Sequence, residues 1–245
     1  MEVITSSDNK AVKHLARLKQ KKYRDEYGEF FVEGYRNVLD TCSAHPASVR
    51  AVFIAESKLA TVGDEFSSFP VTVLTDALFG KIAETENSQG VISVHAMAKS
   101  CFPEKRCVLL DRVRDPGNLG TILRTAAALG YDVVANNCVD AYSPKVTRSG
   151  MSALLKCRIG FDIPVTELKS AGYEILAADM GGESVVGYSA HGKYCIVIGN
   201  EANGISDEIL AHADKVLSIP QDNIESLNAA VAAGIMMFAT AYSVK

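Results

Sequence analysis

The sequence predicts an α/β protein in which a smaller N-terminal domain precedes a larger C-terminal one. Three observations predict it. Short strand-like apolar runs alternate with helical segments along the chain, the pattern of layered α/β folds. Cys195-Ile196-Val197-Ile198 is apolar throughout, as suits a central strand covered on both faces. Glycine and polar residues cluster where apolar runs end, the place where open α/β sheets bind ligands.

In the first half, Asn9 to about Tyr23 reads as one helix, with Val12, Leu15 and Leu18 forming an apolar stripe. Strand-like runs follow at 30–32, 49–54, 71–74 and 91–94, with helical segments near 35–42 and 76–83 between them. The stretch 96–105 has loop composition, so residues 1–98 and 105–245 are the expected domains. In the second half, strands are expected at 107–110, 133–135, 175–178, 194–198 and 216–219. Helices are expected at 119–129, 206–213 and 226–243.

The chain has 245 residues, of which 48% are hydrophobic and 22% charged. A chain of that size and composition buries enough apolar surface to need neither disulfides nor a structural metal. The six cysteines are scattered without a Cys-x-x-Cys pair, and they read as reduced, mostly buried hydrophobes. The five histidines are isolated, which predicts no metal site. No run approaches the roughly 20 apolar residues of a membrane helix. The start Met1-Glu2-Val3-Ile4 lacks a secretory pattern, so a cytoplasmic protein without membrane partners is expected. The net charge of −4 argues weakly against nucleic acid, but charge is unevenly spread. Between Lys10 and Arg24 lie Lys13, His14, Arg17, Lys19, Lys21 and Lys22 without one acidic residue. Such a strip can bind phosphate whatever the net charge, because screening limits distant acids to about 10 Å.

Three segments carry the chemistry. Asp115-Pro116-Gly117-Asn118-Leu119-Gly120 turns from a strand into a helix on which Thr121, Arg124 and Thr125 share a face. A glycine-rich turn of this kind can hold an anion on backbone N–H groups. Gly199-Asn200-Glu201-Ala202-Asn203-Gly204 follows the buried strand. It lacks the lysine of a phosphate loop, and no G-x-G-x-x-G occurs, which disfavours nucleoside triphosphates and NAD. Ile219-Pro220 leads to Ser226-Leu227-Asn228 and a helix rich in small residues. Ser226 has the chemistry of a helix N-cap. Asn228, entering an apolar helix, must find partners for its amide.

In this order, the three segments resemble the signature of the SpoU-type RNA 2′-O-methyltransferases of the SPOUT superfamily. The first matches N-x-G-x-x-x-R through Asn118, Gly120 and Arg124. The second matches G-x-E-x-x-G through Gly199, Glu201 and Gly204. The third matches I-P…S-L-N through Ile219, Pro220, Ser226, Leu227 and Asn228. Residues 6–13, 22–24, 31–34 and 87–91 resemble the substrate-binding domain that often precedes this catalytic domain. Tyr142–Arg148 also resembles the family, although Ser149-Gly150-Met151-Ser152 stands where Ala-Ser-Met-Gly is usual.

The resemblance implies a parallel-sheet C-terminal domain with a trefoil knot, working as a homodimer through that domain. It implies S-adenosylmethionine as methyl donor, held at Gly199, Gly204, Ile219 and Leu227, with no metal. Arg124 would orient the ribose and its phosphate, since a guanidinium keeps its proton and is a poor base. Asn118, Glu201, Ser226 and Asn228 would position that arginine or the substrate. Lys10, Lys13, Lys21, Lys22, Arg24, Lys145 and Arg148 would contact RNA, ribosomal in preference to transfer RNA. The alternatives are a SPOUT methyltransferase acting on a base nitrogen, disfavoured by Arg124, and a non-catalytic RNA-binding module, which would not need all three motifs.

Overall fold

The computed structural model describes residues 2–223 and 226–242. The chain forms two compact units, one of Met1–Ala98 with Tyr142–Leu155, the other of Lys99–Ala141 with Lys156–Lys245. The expected partition thus differs over one stretch, because residues 142–155 pack with the first unit.

The first unit is built on a five-stranded sheet of β1 (Val3–Ile4), β2 (Glu29–Glu33), β3 (Val49–Ala55), β4 (Val71–Leu74) and β5 (Val91–Ala96) in the order β1-β4-β3-β5-β2. β1, β4 and β3 are parallel, whereas β5 runs antiparallel to both β3 and β2. Helices α1 (Lys10–Arg17), α2 (Lys21–Tyr27), α3 (Tyr35–Ala44), α4 (Leu59–Val62) and α5 (Asp76–Ile82) connect the strands. Val12, Leu15 and Leu18 are buried against Phe31, Phe53, Phe79 and Ile92, so the expected stripe does form a core face.

The single helix expected over 9–23 is two. Asn9 caps α1 by accepting from the Ala11 amide at 2.9 Å, and α1 ends at Leu18. The break contains neither glycine nor proline. Its carbonyls are taken by Arg24, whose Nη1 donates to Leu18 O at 2.8 Å and Lys19 O at 2.9 Å. Arg24 is only 3% exposed, which corrects its assignment to RNA. A guanidinium aimed at carbonyls inside the fold is a tether between two helices.

Part of the first unit comes from later in the chain. Helix α6 (Pro116–Leu129) precedes α7 (Pro144–Gly150) and α8 (Ala153–Lys156), neither of which the periodicity showed. α7 packs on the edge strand β2, and Thr147 Oγ1 donates to Phe31 O at 3.4 Å. Asn37 Nδ2 donates to Thr147 O at 3.2 Å, and the Ser152 hydroxyl meets the Asp40 carboxylate. His95 is fully buried on β5, its ring nitrogens 2.7 Å from Ser93 Oγ and 3.0 Å from Ser48 Oγ. Burial, aided by nearby His45, pushes its pKa down to about 4.

The second unit holds an all-parallel sheet of β6 (Cys107–Asp111), β7 (Asp132–Asn136), β8 (Ile159–Phe161), β9 (Glu174–Ser184), β10 (Tyr194–Ile198) and β11 (Lys215–Ser218). The order is β11-β9-β10-β6-β7-β8. All five residues of β10 are buried, as its sequence requires of a strand with a neighbour on each side and layers on both faces. Helices α9 (Val165–Ser170), α10 (Asp207–Leu210) and α11 (Ala229–Ala241) complete the unit, and α11 packs on α6 and β10. Ser243, the expected end of this last helix, lies outside the described residues. β8, an edge strand of three residues, carried too short a pattern to be read.

β9 is longer than expected and pairs irregularly. Val216 of β11 pairs with Ala177, yet Leu217 pairs with Glu183, so residues 178–182 are thrown out of the ladder. Gly182 permits the return, because a Cβ there would lie 2.5 Å from Val216 C and O. The cysteines carry no disulfide, and burial raises the thiols of Cys42 and Cys138 to about 11 and that of Cys157 to about 12.

Candidate active site

In a parallel sheet, the loops leaving β6, β10 and β11 all emerge at one edge. They are the three segments with unusual chemistry. After β10 the chain folds back on itself, with reciprocal backbone bonds of 2.9 Å between Asn200 and Gly204. Gly199 is required for this hairpin, because its Cβ would lie 2.2 Å from Gly204 C. The hairpin is locked to the end of β6 as well. Asn200 Nδ2 donates to Arg112 O at 2.8 Å, and the Ser206 amide donates to Asp111 Oδ2 at 2.8 Å. Asp111 also receives both Nε and Nη2 of Arg112 at 3.0 Å.

Among the described residues, no lysine or arginine pairs with Glu201. Its carboxylate accepts from Asn118 Nδ2 at 3.0 Å and from the Arg114 and Asp115 amides at 3.3 Å. Burial works to raise this carboxyl, but those hydrogen bonds outweigh it and hold the pKa below the usual carboxylate range. Asn118 in turn accepts at Oδ1 from Asn228 Nδ2 at 2.9 Å. Asn228 is the N-cap of α11, accepting from Ala230 N at 2.9 Å and Val231 N at 3.3 Å. The cap is therefore Asn228, two residues beyond Ser226. The chain Glu201–Asn118–Asn228 joins the three loops through side-chain hydrogen bonds.

The loops after β10 and β11 border a cavity of about 490 Å³, and the loop after β6 is bonded to both through Asn118. Gly199, Glu201, Gly204, Ile219, Ser226, Leu227 and Asn228 all line it, as the sequence singled them out. Asn118 is bonded to two of these residues. Arg124 is exposed on α6, does not line the cavity, and has no polar partner among the described residues. The residues thrown out of β9 were not foreseen: Ala178, Asp179 and Met180 form one wall, and Gln221 and Met236 contribute elsewhere. The pair Gly181-Gly182 was the one available signal of an irregular strand. Among the described residues, no group of His, Cys, Asp or Glu has an arrangement that could hold a metal ion, and no helix is long and apolar enough to cross a membrane.

Of the basic residues, Lys10, Lys13, Lys21 and Lys22 are exposed on α1 and α2, and Lys145 and Arg148 are exposed on α7. All six belong to the first compact unit. Lys13 pairs with Asp8 at 2.7 Å and Lys21 with Asp25 at 2.6 Å. Both pairs are well exposed and so readily exchanged.

Residues 105–238 match the SpoU rRNA Methylase family, and residues 9–93 match an MRM3-like substrate binding domain. The chain is 29% identical over 252 residues to the 23S rRNA (guanosine(2553)-2′-O)-methyltransferase RlmP of Bacillus subtilis, covering 97% of this chain and 98% of that protein. It is 32% identical over 252 residues to an uncharacterised tRNA/rRNA methyltransferase of Synechocystis, covering 96% and 92% of the two chains. The AdoMet-bound rRNA methyltransferase from Sinorhizobium meliloti superposes with a TM-score of 0.82 at 28% identity, covering 97% of this chain and 96% of that one.

Proposed function

Because the chain belongs to the SpoU rRNA methylase family, we propose that it methylates a ribose 2′-hydroxyl of ribosomal RNA with S-adenosylmethionine as donor. The observation that carries this reading is the hydrogen-bond chain Glu201–Asn118–Asn228, which ties the Asn118 loop to the two motif loops that line one cavity. The cavity has the volume of a small-molecule site, with an apolar wall and a few polar groups. Ile219 and Leu227 offer apolar surface to a flat base, backed by the buried Ile198 and Leu217, and the exposed carboxylate of Asp179 suits an ammonium group. When bound, the donor supplies a methyl group already activated by its sulfonium charge.

The protein's own contribution is placement. Methyl transfer needs the ribose oxygen in line with the methyl carbon, so orientation supplies much of the rate. Gly199, Gly204, Ile219 and Leu227 hold the donor. Glu201, Asn118 and Asn228 fix the loops before substrate arrives, and Ser226, at the cavity wall, positions it. Arg124, with its fork of donors uncommitted, orients the ribose and an adjacent phosphate. Lys10, Lys13, Lys21, Lys22, Lys145 and Arg148 give the first unit its RNA-binding face.

The same reading includes a trefoil knot in the second unit and a homodimer. The dimer draws support from α11, which is apolar on both sides. Ala233, Met236 and Met237 are buried, while Val231, Ile235 and Phe238 stay exposed along a stripe that Tyr242 continues. Ribosomal RNA as substrate argues for a cytoplasmic protein.

The test is transfer of labelled methyl groups to ribosomal RNA followed by alkaline hydrolysis. A 2′-O-methyl group blocks cleavage of the adjoining phosphodiester, so the label is expected in alkali-resistant dinucleotides. Label recovered on a base nitrogen would overturn the ribose assignment.

A further inference from the structure

We propose that the carboxamide of Gln221 reads the adenine edge of the methyl donor; the inference rests on the donor reading above. Gln221 Oε1 is buried and has no hydrogen-bond partner among the described residues, and Gln221 lines the cavity. Ser143 Oγ and Tyr173 Oη are also buried without partners, but neither residue lines the cavity. A buried, unsatisfied amide oxygen is costly, and a turn of the Gln221 side chain about its own torsions would bring it into the cavity that the residue lines.

The chemistry selects the partner. S-adenosylmethionine offers three kinds of donor: the adenine 6-amino group, the ribose hydroxyls and the α-ammonium. The ammonium is better met by the carboxylate of Asp179 in the same cavity. Gln221 follows Ile219-Pro220 directly, beside the apolar residues that suit a base. A glutamine carboxamide matches adenine with two hydrogen bonds, accepting from the 6-amino group and donating to a ring nitrogen. The proline before it fixes one backbone dihedral and limits the freedom of this segment.

The experiment is calorimetric and needs no RNA. S-adenosylhomocysteine and its analogue with hydrogen in place of the 6-amino group are titrated into the full chain and into Gln221→Met. The wild type should prefer the adenosyl ligand by about tenfold or more, and Gln221→Met should lose that preference while binding both. Thermal melting without ligand should show Gln221→Met at least as stable as wild type, because the variant removes an unsatisfied buried group. The same preference in both proteins, or a marked loss of ligand-free stability in Gln221→Met, would overturn the role of Gln221 and leave the donor reading standing. Failure of the wild type to bind either ligand would overturn both.

Discussion

Asn118 and Asn228, far apart in the sequence, share a 2.9 Å hydrogen bond. Each amide also works locally. The Asn118 side chain donates to Glu201, and the Asn228 side chain caps α11. The two roles of Asn228 can be separated. Asn228→Ser keeps a good cap but loses the bond to Asn118, whereas Asn228→Ala loses both. We expect the alanine variant to be about 1 kcal/mol less stable than the serine variant in urea. Methyl transfer should fall in both. Full activity in Asn228→Ser would show that the bond to Asn118 is dispensable.

Glu201 makes acid sensitivity a property of the site. Its folded pKa lies below the usual carboxylate value, so its contribution is present above the unfolded pKa and lost as pH falls through the folded one. Donor affinity measured from neutral pH downwards should collapse in that acid window for wild type. Glu201→Gln should bind donor more weakly at neutral pH, because an amide cannot accept at both ends. A Gln variant with unchanged affinity and pH profile would remove Glu201 from loop positioning.

His95 gives the first unit an acid liability of its own. Its folded pKa of about 4 lies below the ordinary 6.5, so the unfolded chain binds the proton first as pH drops. Stability is full above the ordinary value and declines as pH falls from there to the folded one, by about 3 kcal/mol from this one group. Replacement by Phe should flatten that part of the curve in urea unfolding. An identical slope in both proteins would assign it to other groups.

Val146 tests whether α7 belongs structurally to the first unit. It is fully buried, and α7 covers β2. Val146→Ala should cost about 1–3 kcal/mol and lower hydrogen-exchange protection at Phe30–Val32. Unaltered protection on β2 would show that the strand does not depend on this cover. A fragment of residues 1–98 lacks α7 altogether and should be less stable than the same unit in the full chain.

Much of this was legible in the sequence. The strands of both units other than the short β1 and β8, and the three loops, announced themselves because apolar runs end in glycine and polar residues at fixed spacings, and the singled-out residues Gly199, Glu201, Ile219 and Leu227 line one cavity. Arg24 was misread because its charge matches its neighbours, and nothing in the sequence says that its guanidinium turns inward to the end of α1. The bulge of β9 was missed because its pairing partner, β11, lies far along the chain, and only that pairing shows the jump from Ala177 to Glu183. The place of residues 142–155 was missed for a similar reason: Thr147 meets Phe31 and Asn37, contacts that no local periodicity encodes.

The most direct test of the central claim is a map of ribose methylation in ribosomal RNA from cells with and without this gene, complemented by wild type or Arg124→Ala. We predict a 2′-O-methyl group that disappears on deletion and returns with wild type. Arg124→Ala should fail to restore it, with transfer in vitro reduced about a hundredfold or more and donor binding retained. A ribosomal methylation map unchanged by deletion, or fully restored by Arg124→Ala, would contradict the account.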